Sequence, residues 1–179
     1  MKTKVRIFSF LLFLLAVIAF VFYAFVSDTE EKTLFTITRN FNNDFLNYDL
    51  RIDDEGNLVD EDPIHPYWIR NTKGGIVKEL NGMQRKFAYG LKYKKISSDF
   101  YKFNFVSYKK MDLYLKKSSN GNYRVLTQID GDFVILKELF LQVEKNGTIF
   151  DLPKLNWVDI KWYSPKDKKT RETRIDPND

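Results

Sequence analysis

The stretch YRVLTQIDGDFVILK, Tyr123–Lys137, decides the fold. Val125 and Thr127 alternate with Leu126 and Gln128, then Asp130-Gly131-Asp132 intervenes, and a β-branched run follows from Phe133. Period-two alternation is the strand signal, and an Asp-Gly pair between two such runs tolerates the positive φ that a tight hairpin needs. Working outward, the same pattern recurs. Asn120-Gly121-Asn122 and Asn146-Gly147 supply two further hairpin turns. Strands are expected at Leu34–Thr38, Tyr48–Ile52, Pro66–Arg70, Phe100–Ser107, Met111–Lys116, Tyr123–Ile129, Phe133–Lys137, Leu139–Glu144 and Val158–Tyr163.

One stretch breaks the alternation. Leu80, Met83, Gln84, Phe87 and Ala88 fall at helical spacing and Gly90 follows as a stop, so a short helix is expected over Glu79–Tyr89. Ser164–Asp179 alternates charges and reads as a solvated carboxyl-terminal tail. Residues 32–163 show no linker or internal repeat and read as one β-rich domain. Many short strands with one helix point to an all-β antiparallel sandwich, with a barrel as the alternative.

Ahead of the domain, Ile7–Val26 is an uncharged run of 20 residues. At helical rise it spans about 30 Å, the hydrocarbon thickness of a bilayer. Lys2, Lys4 and Arg6 precede it as a basic stub, and Asp28, Glu30 and Glu31 follow. The positive-inside rule leaves the amino terminus in the cytoplasm and sends the domain to the extracytoplasmic, periplasmic side. A retained single-pass signal anchor is the preferred reading. A cleaved signal peptide, giving a secreted form, is the alternative, but its cleavage site would put a large residue where a small one belongs.

Composition narrows the chemistry. The chain has 179 residues, no cysteine and one histidine, His65. Disulfides, thiolate nucleophiles and thiolate metal sites are therefore excluded, and so are a His-based triad and a two-His metal site within one chain. The formal charge of +5 includes the three amino-terminal cations; the rest carries 26 basic and 24 acidic residues, a net of +2. That balance is not the footprint of a dedicated nucleic-acid binder. Lysines interleaved with tyrosines over Lys92–Lys117 read as wet and buried faces of alternating strands, with lysines also guarding edges.

Three clusters invite a site. Asp53 to Asp62 holds six carboxylates, but with Gly56 in the sixth position of a calcium loop Arg51 falls where the first oxygen ligand belongs, and the segment reads as a wet turn with no metal. His65 beside Pro66 reads as a half-exposed structural residue. The most ligand-like set is Trp68, Arg70, Arg85 and Tyr89, with Trp68 and Arg70 on one face of their strand. They form either a frame for a carbohydrate or anion, or a core anchor with Arg70 reaching past it to water; the core reading is preferred for Trp68.

The block Asp54-Glu55-Gly56-Asn57-Leu58-Val59-Asp60, Pro63-Ile64, Tyr67-Trp68-Ile69, Glu79-Leu80, Gln84-Arg85-Lys86 and Ala88-Tyr89-Gly90 resembles the DUF4833 family. The resemblance covers residues 33–163. It implies an uncharacterised single domain of a family with many exported members, best represented in Bacteroidota, without an assigned activity. Together these readings lead to a non-enzyme expectation: a membrane-tethered binding or structural module of the cell envelope, without cofactor or nucleic acid, whose partner is an envelope protein or glycan. The alternative is an envelope polymer hydrolase that uses acidic residues.

Overall fold

The computed structural model describes residues 32–144 and 154–177. Ile7–Val26 and the Asn146-Gly147 turn lie outside the described residues. Among the described residues no helix is long and apolar enough to cross a membrane.

Eleven strands and one short helix follow in order: β1 (Thr33–Arg39), β2 (Asn42–Leu50), β3 (Ile64–Arg70), β4 (Ile76–Glu79), α1 (Gly82–Phe87), β5 (Leu91–Ser97), β6 (Phe100–Phe105), β7 (Leu113–Lys117), β8 (Tyr123–Ile129), β9 (Asp132–Glu144), β10 (Lys154–Ser164) and β11 (Lys169–Ile175). The β-dominated expectation is met. The sandwich is not: all eleven strands belong to one hydrogen-bonded sheet that curls into an open half-barrel.

The cause is β9, read from the sequence as two strands but formed as one of 13 residues. Its first four residues pair with β8, continuing the Asp130-Gly131 hairpin, in which both turn residues have positive φ. Further along, Glu138–Leu141 pairs in parallel with Thr36–Arg39 of β1. β10 runs antiparallel along Ile135–Glu144. Since Ile135 pairs with both β8 and β10, and Glu138–Leu141 with both β1 and β10, β8 and β1 must share the edge opposite β10. Two arms, β1–β4 and β8–β5, therefore leave one edge of β9, and both stay in the sheet instead of separating into two.

The inner faces of the arms meet in an aromatic core. Phe35 stacks on Tyr48 with centroids 4.3 Å apart, and both present edges to Phe105 at 6.2 and 5.9 Å. Tyr48 is fully buried, and its hydroxyl donates to the Tyr89 carbonyl at 2.9 Å, so burial leaves no donor unmet. The Tyr93 hydroxyl donates to the Ile64 carbonyl at 3.2 Å and ties β5 to β3.

The carboxyl end is corrected as well. Lys169–Ile175 is a strand, paired residue by residue with β10 from Val158↔Ile175 to Ser164↔Lys169. Its side chains are nearly all exposed, so the charges that suggested a tail sit on an ordered edge strand. Lysine and arginine on such an edge oppose pairing with another chain.

The helix forms ahead of Gly90 but is shorter than expected, Gly82–Phe87, with Glu79 in β4 instead. Asn81 caps it in a reciprocal box with Gln84. A Cβ on Gly90 would lie 1.9 Å from the Arg85 carbonyl oxygen, so only glycine lets the chain turn back there.

Candidate functional site

The mouth of the half-barrel, where β1 and β9 run side by side, holds the chemistry. Alternation along β1 puts Phe35, Ile37 and Arg39 on the inner face. Phe35 and Ile37 enter the core, and Arg39 follows them half-buried at the end of the strand. The parallel register sets Ile37 beside Leu139 and Arg39 beside Leu141.

An apolar cavity of about 80 Å³ opens there, lined by Ile37, Tyr89, Phe105, Leu139, Leu141, Leu155, Val158 and Ile175 among others. That is roughly half the ~150 Å³ of a protein cavity that takes up benzene. A wider polar groove of about 570 Å³ adjoins it, bounded by Asp112, Thr127, Gln128, Asp130, Thr173 and Arg174. Tyr108, Met111 and Ile175 line both, so the two spaces join into one cleft that changes from apolar to polar.

Of the expected site residues, the structure brings Trp68 and Tyr89 together. Their rings meet edge to face at 5.5 Å. Trp68 is 3% exposed, and its indole Nε1 is buried without a hydrogen-bond partner. Arg70 stands on the same strand face but is held by Asp44, its Nε 2.6 Å from a carboxylate oxygen. Asp44 is buried and also accepts from the Thr72 backbone N–H and hydroxyl, at 2.9 and 2.8 Å. Burial pushes this carboxyl up, but the Thr72 and Arg70 hydrogen bonds outweigh it and hold the pKa below the ordinary value. Arg85 lies elsewhere. It approaches Glu79 at 3.5 Å, and the same Glu79 oxygen lies 2.9 Å from His65 Nε2.

The residue that sequence reasoning missed is Arg39. Its guanidinium carbon lies 4.3 Å from the centroid of Trp68 and 4.4 Å from that of Phe41. It donates to the Tyr89 hydroxyl and to the Asn42 side-chain oxygen, both at 3.4 Å, and its Nε is buried without a partner. The alternation Phe35-Thr36-Ile37-Thr38-Arg39 carried the signal, since it puts a cation on the buried face.

Three carboxylates of the acidic segment between β2 and β3 are engaged structurally. Asp53 Oδ1 accepts from the Asn57 N–H at 2.7 Å within a tight turn closed by an Ile52–Leu58 bridge. Asp60 accepts from Lys95 and, at 2.6 Å, from the Tyr101 hydroxyl. Asp62 pairs with Arg51 at 2.7 Å.

No curated protein and no solved structure matches the chain. A family model described as a domain of unknown function matches residues 35–174, from β1 into β11, and so spans both arms and the mouth between them. By that match the chain belongs to the DUF4833 family.

Proposed function

We propose that this chain is a non-catalytic binding module of the cell envelope that takes a ligand at the mouth of its half-barrel. The observation that carries the reading is the cleft itself: an apolar cavity open to a polar groove, with aromatic side chains in its lining and Arg39 beside it as the cross-strand neighbour of Leu141. Concave apolar pockets with a few polar groups converging on them are the usual form of a binding site. Retention by Ile7–Val26, with the domain on the extracytoplasmic side, follows from the charge bias about that run.

The described carboxylates with displaced pKa values are all displaced toward the ionised form. A hydrolase using carboxylates needs one raised above its usual pKa to act as an acid. Among the described residues, Asp44, Asp60, Asp112, Asp159 and Asp167 are all shifted the other way, by hydrogen bonds and cationic partners that outweigh desolvation. Each is stabilised as a carboxylate.

The test is a melt of the full chain in lipid nanodiscs with hexanol as an apolar probe. Hexanol should raise the midpoint of the native chain and leave Leu141→Trp, which fills the cavity, unmoved. No shift in the native chain, or turnover of an ester, phosphoester or peptidoglycan abolished by replacing one carboxylate, contradicts the reading.

A further inference from the structure

Arg39 is a cation whose hydrogen-bonding capacity is largely unspent. A guanidinium carries five N–H donors in a fixed fork suited to a carboxylate. Here two contacts sit at the long limit of 3.4 Å, both to neutral oxygens, and Nε meets nothing. Among the described arginines Arg51, Arg70, Arg85, Arg171 and Arg174 each pair with a carboxylate and Arg124 donates to the Tyr123 carbonyl, whereas none of the partners of Arg39 is a carboxylate. The neighbouring indole N–H of Trp68, 97% withdrawn from solvent, is a second unmet donor at the same place. Buried donors without acceptors are uncommon in folded proteins, so Arg39 Nε and the Trp68 indole N–H mark this stack of guanidinium on ring as a cradle short of acceptors.

The surroundings define what that cradle would hold. Leu141 is the cross-strand partner of Arg39 and Ile37 precedes it by two residues on the same face; both line the apolar cavity. Neighbouring strands lie about 4.8 Å apart, and two residues advance about 7 Å along a strand. The cation and the cavity are thus one short ligand's length apart, with Tyr89 lining the cavity and bonded to Arg39. Arg70 on β3 is paired with Asp44, and Arg174, which bounds the groove, with Asp159, so of these three arginines Arg39 alone has its fork open to a carboxylate.

We propose that Arg39 recognises the head of the ligand, and that this ligand is an apolar chain ending in a carboxylate, its head on the guanidinium and its chain in the cavity lined by Ile37, Leu139 and Leu141. This rests on reading the mouth as a binding site. A singly charged planar head matches one fork.

Hexanoate, hexanol and hexyl phosphate separate the terms, titrated into the full chain in nanodiscs with empty nanodiscs as blank. Hexanoate should bind the native chain about tenfold or more tighter than hexanol, the margin expected for a charge-assisted bidentate contact. Arg39→Met should reduce hexanoate to the level of hexanol and leave hexanol unchanged. Arg39→Lys, which keeps the charge without the fork, should fall between. Equal binding of hexanoate and hexanol to the native chain overturns the role of Arg39 while leaving the mouth as a site. Failure of both overturns the mouth as well, and tighter binding of hexyl phosphate overturns the carboxylate. The native-chain comparison stands even where a variant does not fold.

Discussion

Tyr101 shows how a single side chain ties the arms together. Its ring is fully buried on β6, and its hydroxyl crosses to Asp60 on the segment joining β2 and β3. Burial, and then the Asp60 carboxylate beside it, push the phenol up to about 12. Tyr48, Tyr93 and Tyr123 are raised too, each chiefly by burial. A pKa raised in the folded state means that stability is intact below the ordinary phenol value of 10 and is lost as pH climbs through the folded value. Denaturant midpoints should therefore hold up to about pH 10 and drop above it, and Tyr101→Phe should reduce that alkaline drop. A midpoint that falls between pH 7 and 9 would contradict this. Trp68 matters at the same scale. Trp68→Ala removes the ring that both Arg39 and Tyr89 pack against and should cost about 3–5 kcal/mol, with Trp68→Phe costing less. A Trp68→Ala melt equal to that of the native chain would take Trp68 out of the core. Which residues form the core was legible, because burial and alternation coincide at Tyr101, Phe103 and Phe105. Arg39 was not, because a cation at a strand end normally reads as a solvated one.

Elements were legible where one face is dry. β3 and β8 each alternate buried with less buried positions, and their expected bounds agree closely with the structure. β4 was missed since all four of its residues are exposed, which leaves no contrast to read. β11 was missed for a related reason: charge on both faces hides the period. β9 was split at Glu138, a polar residue inside a strand, which is accounted for by the Thr38 hydroxyl donating to it at 2.7 Å from the parallel neighbour. The helix owes its limits to local chemistry, and two glycines separate the causes. Gly90→Ala drives a Cβ into the Arg85 carbonyl and should cost about 1–3 kcal/mol by urea midpoint. Gly82→Ala meets open space at the first helical position and should gain about 0.4–1 kcal/mol. Equal effects of the two would mean that the turn at Gly90 does not constrain the chain.

At the scale of the molecule, what the sequence did not disclose was the branching at β9. Sandwich and half-barrel use the same strands and hairpins and differ in which edges meet, and the β1–β9 pairing joins positions about 100 residues apart. Nothing local marks such a pairing. The cavity follows from it, since Ile37, Leu139 and Leu141 become neighbours only when β1 lies along β9. Trp68 and Tyr89 were legible as a pair for the opposite reason, being 21 residues apart around a short helix. The proposed role of the mouth therefore stands or falls with a ligand at that junction. The most direct measurement is a methyl NMR titration of the full chain in nanodiscs with hexanoate. Shifts confined to Ile37, Leu139, Leu141, Leu155, Val158 and Ile175, saturating together, are the predicted result. Shifts absent from these methyls, or strongest at the exposed Ile76, Val77 and Ile96, would contradict binding at the mouth.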